Sequence, residues 1–209
     1  MTSAPALPPY LLYLHGFRSS PRSMKARVVQ AALEERGLLN RLICPQLPAS
    51  PKAAFALALE LAAQHAPGNL AIVGSSLGGF YACALAERLG VPAVVINPSV
   101  DPTRNLEHHV GVTTNWHSDE PFEFRAEYID ELKALRVDAI TQPERYFLLA
   151  ATGDEVLDYR DMVAHYAGAR QHVIYGSDHA VSEFPMYVDD VLAFCGMNAA
   201  LPSAKDPAQ

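Results

Sequence analysis

Cysteine is scarce in this chain: three in 209 residues, at Cys44, Cys83 and Cys195. They are odd in number, widely spaced and set in apolar stretches. That argues against a disulfide framework and for buried free thiols in a reducing cytoplasm. None stands at metal-ligand spacing. Charge is also thin, at 19% of residues, and its balance is acidic, with a formal net charge of −7. A general nucleic-acid binder needs a basic stripe for phosphates, and none is present. Long apolar runs are missing as well. No stretch approaches the roughly 20 residues that a membrane-spanning helix requires. Residues 1–9 show neither the basic nor the apolar region of a signal peptide, so a cytoplasmic location is expected.

Half of the residues are hydrophobic, enough at this length to bury the core of a single domain. The two ends, 1–8 and 197–209, are rich in Ala, Pro and Ser and are expected to be flexible, leaving a core over about 10–196. Along that core, short apolar runs alternate with helical patterns. Strands are expected at Tyr10–Leu14, Arg41–Cys44, Leu70–Val73, Ala93–Ile96, Arg145–Ala150 and Gln171–Tyr175. Helices are expected from near Pro21 to Gly37, with Ser20 as N-cap, and over Pro51–Gln64, Gly79–Leu89, Tyr159–Tyr166 and about Ser182–Phe194. This order implies an α/β fold: a mostly parallel sheet covered by helices on both faces. Residues 98–124 break the rhythm. They contain His108-His109, Trp116 and Asp119-Glu120-Pro121 without clean periodicity, and they leave a strand end. A segment of this length and place is expected to be a small cap over a site.

The chemistry centres on Gly74-Ser75-Ser76-Leu77-Gly78, which lies between a strand and a helix. Strand, G-x-S-x-G, helix is the context of a nucleophile elbow, in which a serine sits on a strained turn. Ser76 has glycines two residues away on both sides, whereas Ser75 has Val73 and Leu77. A serine hydroxyl needs a base, and the base needs an orienting acid. The strand over 145–150 runs into Thr152-Gly153-Asp154-Glu155-Val156-Leu157-Asp158, and the strand over 171–175 runs into Gly176-Ser177-Asp178-His179. Asp154 and His179 thus leave the same sheet edge as Ser76, in the order nucleophile, acid, histidine. Glu155 and Asp158 compete with Asp154 for the acid, and Asp154 lies nearest the strand end. His65, His165 and His172 fall on helices or within a strand, as structural or surface residues. His108, His109 and His117 lie in the cap without a carboxylate or cysteine at ligand spacing, so no metal is expected.

The reaction also needs donors for an oxyanion. The backbone N–H of Leu77, at a helix start, is one. The N–H of Phe17 is the other, with Gly16 allowing the backbone close to the substrate. Phe17, Trp116, Phe122 and Phe124 are the apolar residues expected near an acyl group. Arg18, Arg22, Lys25 and Arg27 cluster near the first loop, where they serve either as a solvated helix face or as contacts to an anionic substrate.

Together, Tyr13-Leu14-His15-Gly16-Phe17-Arg18-Ser19-Ser20-Pro21, Gly74-Ser75-Ser76-Leu77-Gly78-Gly79, Asn97-Pro98, Thr152-Gly153-Asp154-Glu155-Val156-Leu157-Asp158-Tyr159 and Asp178-His179 resemble the small bacterial YqiA-type esterases of the α/β-hydrolase superfamily. The resemblance spans about Tyr10 to Phe194. It implies an α/β-hydrolase fold and a hydrolase of carboxylic esters, with acyl-CoA thioesters as the alternative, acting without a cofactor. It also implies Ser76 as nucleophile, Asp154 as acid and His179 as base. The rival from another class is a binding protein that keeps the fold without the chemistry.

Overall fold

The structure, a computed structural model, describes residues 9–65, 68–115 and 121–198. Tyr10–Leu14 (β1) alternates its side chains between two buried faces, so all but its first residue are inaccessible. Such doubly buried strands form when helices cover a parallel sheet on both sides. The chain continues through helix Met24–Glu35 (α1), strand Leu42–Ile43 (β2), helix Pro51–Ala63 (α2), strand Leu70–Ser75 (β3), helix Leu77–Leu89 (α3) and strand Ala93–Ile96 (β4). Helix Pro102–Leu106 (α4) and strands Gly111–Thr114 (β5) and Pro121–Phe124 (β6) follow, then helix Glu127–Leu135 (α5). Strand Tyr146–Ala151 (β7), helix Tyr159–His165 (α6), strand Arg170–Ile174 (β8) and helix Val188–Phe194 (α7) complete the domain.

Six strands form one parallel sheet in the order β2-β1-β3-β4-β7-β8. Residues from α2, α3, α5 and α6 pack with Leu12, Leu14, Ile72 and Val95 on one face. Residues from α1 and α7 pack with Leu11, Tyr13, Val73 and Ile96 on the other. Each fully buried Leu, Ile or Val contributes on the order of 1.5–3 kcal/mol, so this two-sided burial is the main source of stability. The strand order reverses direction between β1 and β3. Open parallel sheets leave a crevice beyond the strand ends at such a point. Among the described residues, no helix is long and apolar enough to cross a membrane.

Several elements depart from the expected ones. Helix α1 starts at Met24 and not near Pro21, because Ser20 closes a turn first: its Oγ accepts from Arg22 N at 3.1 Å and its carbonyl from Ser23 N at 3.0 Å. The last helix is broken into a 3-10 turn, Phe184–Met186, and α7. The segment 98–124 is not irregular throughout. It holds α4, a 3-10 turn over Glu107–His109, and β5 and β6 paired antiparallel. Helix α5 falls where no element was expected, although Ile129, Leu132 and Leu135 recur at helical spacing; it buries Ile129 and Leu132. Cys83 and Cys195 are buried and Cys44 is half-buried; burial pushes their thiols up to about 11, 12 and 12, so all three are poor nucleophiles.

Candidate active site

Ser76 stands between β3 and α3 with φ of 56° and ψ of −121°, a conformation costly for a residue with a side chain. Backbone bonds on both sides of the residue over-determine it. Its N–H donates to Ile96 O at 3.0 Å, and its carbonyl accepts from Gly79 N at 2.9 Å and Ser99 N at 3.1 Å. The flanking glycines are required by contact. A Cβ on Gly74 would run into the Gly78 carbonyl, and one on Gly78 into the Leu14 carbonyl. The turn therefore locks the start of α3 against β1, with the serine at the crevice.

The structure brings His179 and Asp154 to this serine. His179 Nε2 lies 2.9 Å from Ser76 Oγ, and Nδ1 lies 2.8 Å from Asp154 Oδ2. One tautomer serves both: Nδ1–H donates to the carboxylate, and Nε2 accepts from the serine hydroxyl. The Asp154 side chain is fully buried, and its other oxygen accepts from Val156 N at 2.8 Å and Leu157 N at 2.9 Å. Asp158 is engaged elsewhere, as the N-cap of α6, accepting from Arg160 N at 2.9 Å. Glu155 does not reach the ring either; its Oε2 accepts from the His179 backbone N–H at 3.0 Å.

The loop carrying His179 is held by a residue that the sequence pattern did not single out as functional. Asn97, fully buried just past β4 with φ of 39°, donates from Nδ2 to the carbonyls of Asp178 at 3.0 Å and His179 at 3.2 Å. Its Oδ1 accepts from Ala151 N at 2.8 Å. One amide thus ties the ends of β4 and β7 to the histidine loop. The Asn-Pro dipeptide at this strand end was the available signal, but its partners lie more than 50 residues away. On the same loop, Asp178 accepts from Ser182 N and Oγ, which with Lys25 holds its carboxyl below the usual range.

A cavity of about 570 Å³ opens beside Ser76. Leu77 lies at its edge as the first residue of α3, where a helix N–H has no intrahelical partner. Gly16 passes close on the other side: a Cβ there would sit 3.2 Å from Ser76 Cβ. Phe17 lines the cavity, and so do Leu106 and His109 from the 98–124 segment. Arg18 also lines it, with φ of 57°, and donates from Nε to Thr114 O at 2.7 Å, joining the first loop to β5. Phe122 departs from expectation. It does not line this cavity but meets Phe17 edge-on from behind, with ring centroids 5.1 Å apart. Phe124 is core, packed on Phe17 and Tyr128. Trp116 and His117 lie outside the described residues. His15 is a buried shaping group: its Nε2 accepts from Leu47 N at 3.0 Å. Among the described residues, no group of three or more His, Cys, Asp or Glu side chains could hold a metal ion.

Solved structures share this architecture. The mouse alpha/beta hydrolase domain-containing protein 10 superposes with a TM-score of 0.67 at 17% identity, covering 88% of this chain and 90% of its own. Est1E from Butyrivibrio proteoclasticus, solved with ferulic acid bound, gives 0.66 at 17% identity and 88% coverage of both chains. The esterase domain of a Rhodothermus marinus protein gives 0.64 at 17% identity, covering 89% and 85%. At these identities the likeness establishes the α/β-hydrolase fold. The model of the family described as "Uncharacterised protein family (UPF0227)" matches residues 10–196. With that match spanning nearly the whole chain, the protein belongs to the UPF0227 family and carries it on an α/β-hydrolase fold.

Proposed function

We propose that this chain is a serine hydrolase that cleaves carboxylic esters through an acyl-enzyme. The observation that carries the reading is the unbroken hydrogen-bonded line from Ser76 through His179 to Asp154 at the mouth of a cavity. Ser76 Oγ attacks the ester carbonyl carbon while His179 Nε2 takes its proton. The carbonyl oxygen becomes an oxyanion that receives the N–H groups of Leu77 and Phe17. On collapse the bond to the alcohol oxygen breaks, and His179 returns the proton to that oxygen. Water then attacks the acyl carbon with His179 as base, the acid leaves, and Ser76 regains its proton. Asp154 keeps Nδ1 protonated and stabilises the imidazolium in both halves. The nucleophile comes from the protein itself, so no step requires a cofactor.

The test is hydrolysis of a panel of p-nitrophenyl esters and acyl-CoA thioesters by the wild-type protein and Ser76→Ala. The proposal expects ester turnover and a fall in kcat of on the order of 10⁴-fold or more in the variant. Hydrolysis that persists unchanged in Ser76→Ala would refute it, and thioesters cleaved far better than every ester would reassign the leaving group.

A further inference from the structure

The cavity has a second, polar end that the chemistry at Ser76 does not use. It lies on the α1 face of the sheet, where the first turn of α1 meets the end of β1. Ser23, Met24 and Lys25 line the cavity there, opposite Tyr13. Ser23 holds the N-cap position of α1, yet its side chain makes no capping bond. An N-cap serine ordinarily accepts from the second or third N–H of its helix. Its hydroxyl is instead buried beside the Tyr13 hydroxyl, with no partner at full hydrogen-bond geometry. The first turn of α1 contains no acidic residue to offset its positive end.

Tyr13 supplies a second sign. Its ring is 1% exposed, and its hydroxyl is buried without a partner at hydrogen-bond geometry. Burial pushes the Tyr13 pKa well up, with the Ser23 hydroxyl close enough to oppose the shift, so Tyr13 remains a protonated donor. A buried hydroxyl left unmatched carries a desolvation cost that a ligand acceptor placed there would offset. Lys25 completes the set. Its ammonium donates to Ala180 O at 2.5 Å and makes no salt bridge within 4 Å among the described residues. Burial lowers its pKa to about 8, while the more distant Asp178 and Asp154 act to keep it charged. Those carboxylates have their own partners, His179 for Asp154 and Ser182 for Asp178.

We propose that the α1 N-terminus, with Ser23, Lys25 and Tyr13, binds a carboxylate carried by the substrate. The helix N–H groups, two hydroxyls and ammonium at this end can all donate; the Glu155 carboxylate also lines the cavity, with its Oε2 engaged by His179 N. The matching ligand is rich in acceptors and carries negative charge. A single ammonium matches a monoanion, which favours a carboxylate over a doubly charged phosphate. Of the basic residues clustered in sequence here, Arg22 and Arg27 are exposed and stand outside this cavity; Arg18 lines it but donates from Nε to Thr114 O, so the ammonium at the α1 end is that of Lys25. The inference rests on the esterase reading and deepens it: the preferred substrate is the half-ester of a dicarboxylic acid, or an ester with a carboxylate elsewhere on its acyl or alcohol part.

The experiment compares p-nitrophenyl half-esters of glutaric and adipic acid with the p-nitrophenyl esters of valeric and hexanoic acid. It uses wild-type protein, Lys25→Met and Ser23→Ala, with glutarate binding measured separately by calorimetry. The proposal expects the wild-type protein to favour the acidic esters in kcat/KM by at least tenfold. It expects Lys25→Met to cut that ratio at least tenfold, Ser23→Ala to reduce it severalfold, and glutarate affinity to fall at least tenfold in Lys25→Met. Neutral esters cleaved as well as acidic ones by the wild-type protein, or a ratio unmoved in folded Lys25→Met, would overturn it. If no ester is hydrolysed while glutarate binds in a Lys25-dependent way, the esterase reading falls and the carboxylate site stands.

Discussion

Asn97→Asp is the substitution that most cleanly separates the support of the site from its chemistry. The new side chain has the same shape, tolerates the left-handed backbone at this position, and keeps an oxygen for Ala151 N. What changes is the other end, where an NH₂ now donates to two carbonyls. Ionised, the carboxyl would face both carbonyl oxygens in a buried place. Protonated, it restores one donor and still leaves one carbonyl bare. Even that smaller loss costs about 1–3 kcal/mol. The cost falls on the loop that carries His179, and a displacement of about 1 Å at a reacting group lowers rates on the order of 10²-fold. The variant is therefore expected to fold, to melt a few degrees lower, and to lose kcat on the order of 10²-fold with KM little changed. Steady-state ester hydrolysis together with thermal melting followed by circular dichroism reads both. A folded Asn97→Asp protein with the wild-type kcat would refute the positioning role.

Asp154→Asn is expected to lower kcat by about 10⁴-fold, because the amide favours the wrong imidazole tautomer. Asp158→Asn, at the N-cap of α6, should cost about 1 kcal/mol of stability or less and leave kcat near wild type; the reverse ranking in ester hydrolysis would move the acid to Asp158. Leu106→Ala widens the cavity wall supplied by α4. Its preferred acyl length should shift upward in a graded way, since each methylene discriminates by about 1–3 kcal/mol, and an unchanged chain-length profile would place the acyl pocket elsewhere.

The sheet was legible because most of its strands are apolar runs ended by glycine or proline, and the order of Ser76, Asp154 and His179 at those ends follows from the same punctuation. The helix expected over 51–64 is there too, and Ser50 caps it: its Oγ accepts from Ala53 N at 3.1 Å. What escaped depends on distant partners. Ser20 looked like a helix cap, but its bonds close a separate turn, and Ser23, which holds the N-cap position, makes no capping bond and lies beside Tyr13. Phe122 and Phe17 share a cluster, yet only the packing of β6 decides that Phe17 faces the cavity while Phe122 stands behind it. Asn97, Glu155 and Lys25 reach across 81, 24 and 155 residues to the histidine loop, separations that no periodicity in the sequence encodes.

The central claim is that Ser76 is a nucleophile activated by His179. Labelling with a fluorophosphonate, followed by peptide mass spectrometry, tests it most directly. A single adduct on Ser76 is expected, absent in Ser76→Ala and formed far more slowly in His179→Ala. An adduct on Ser75, or no adduct on a folded protein, would contradict the account.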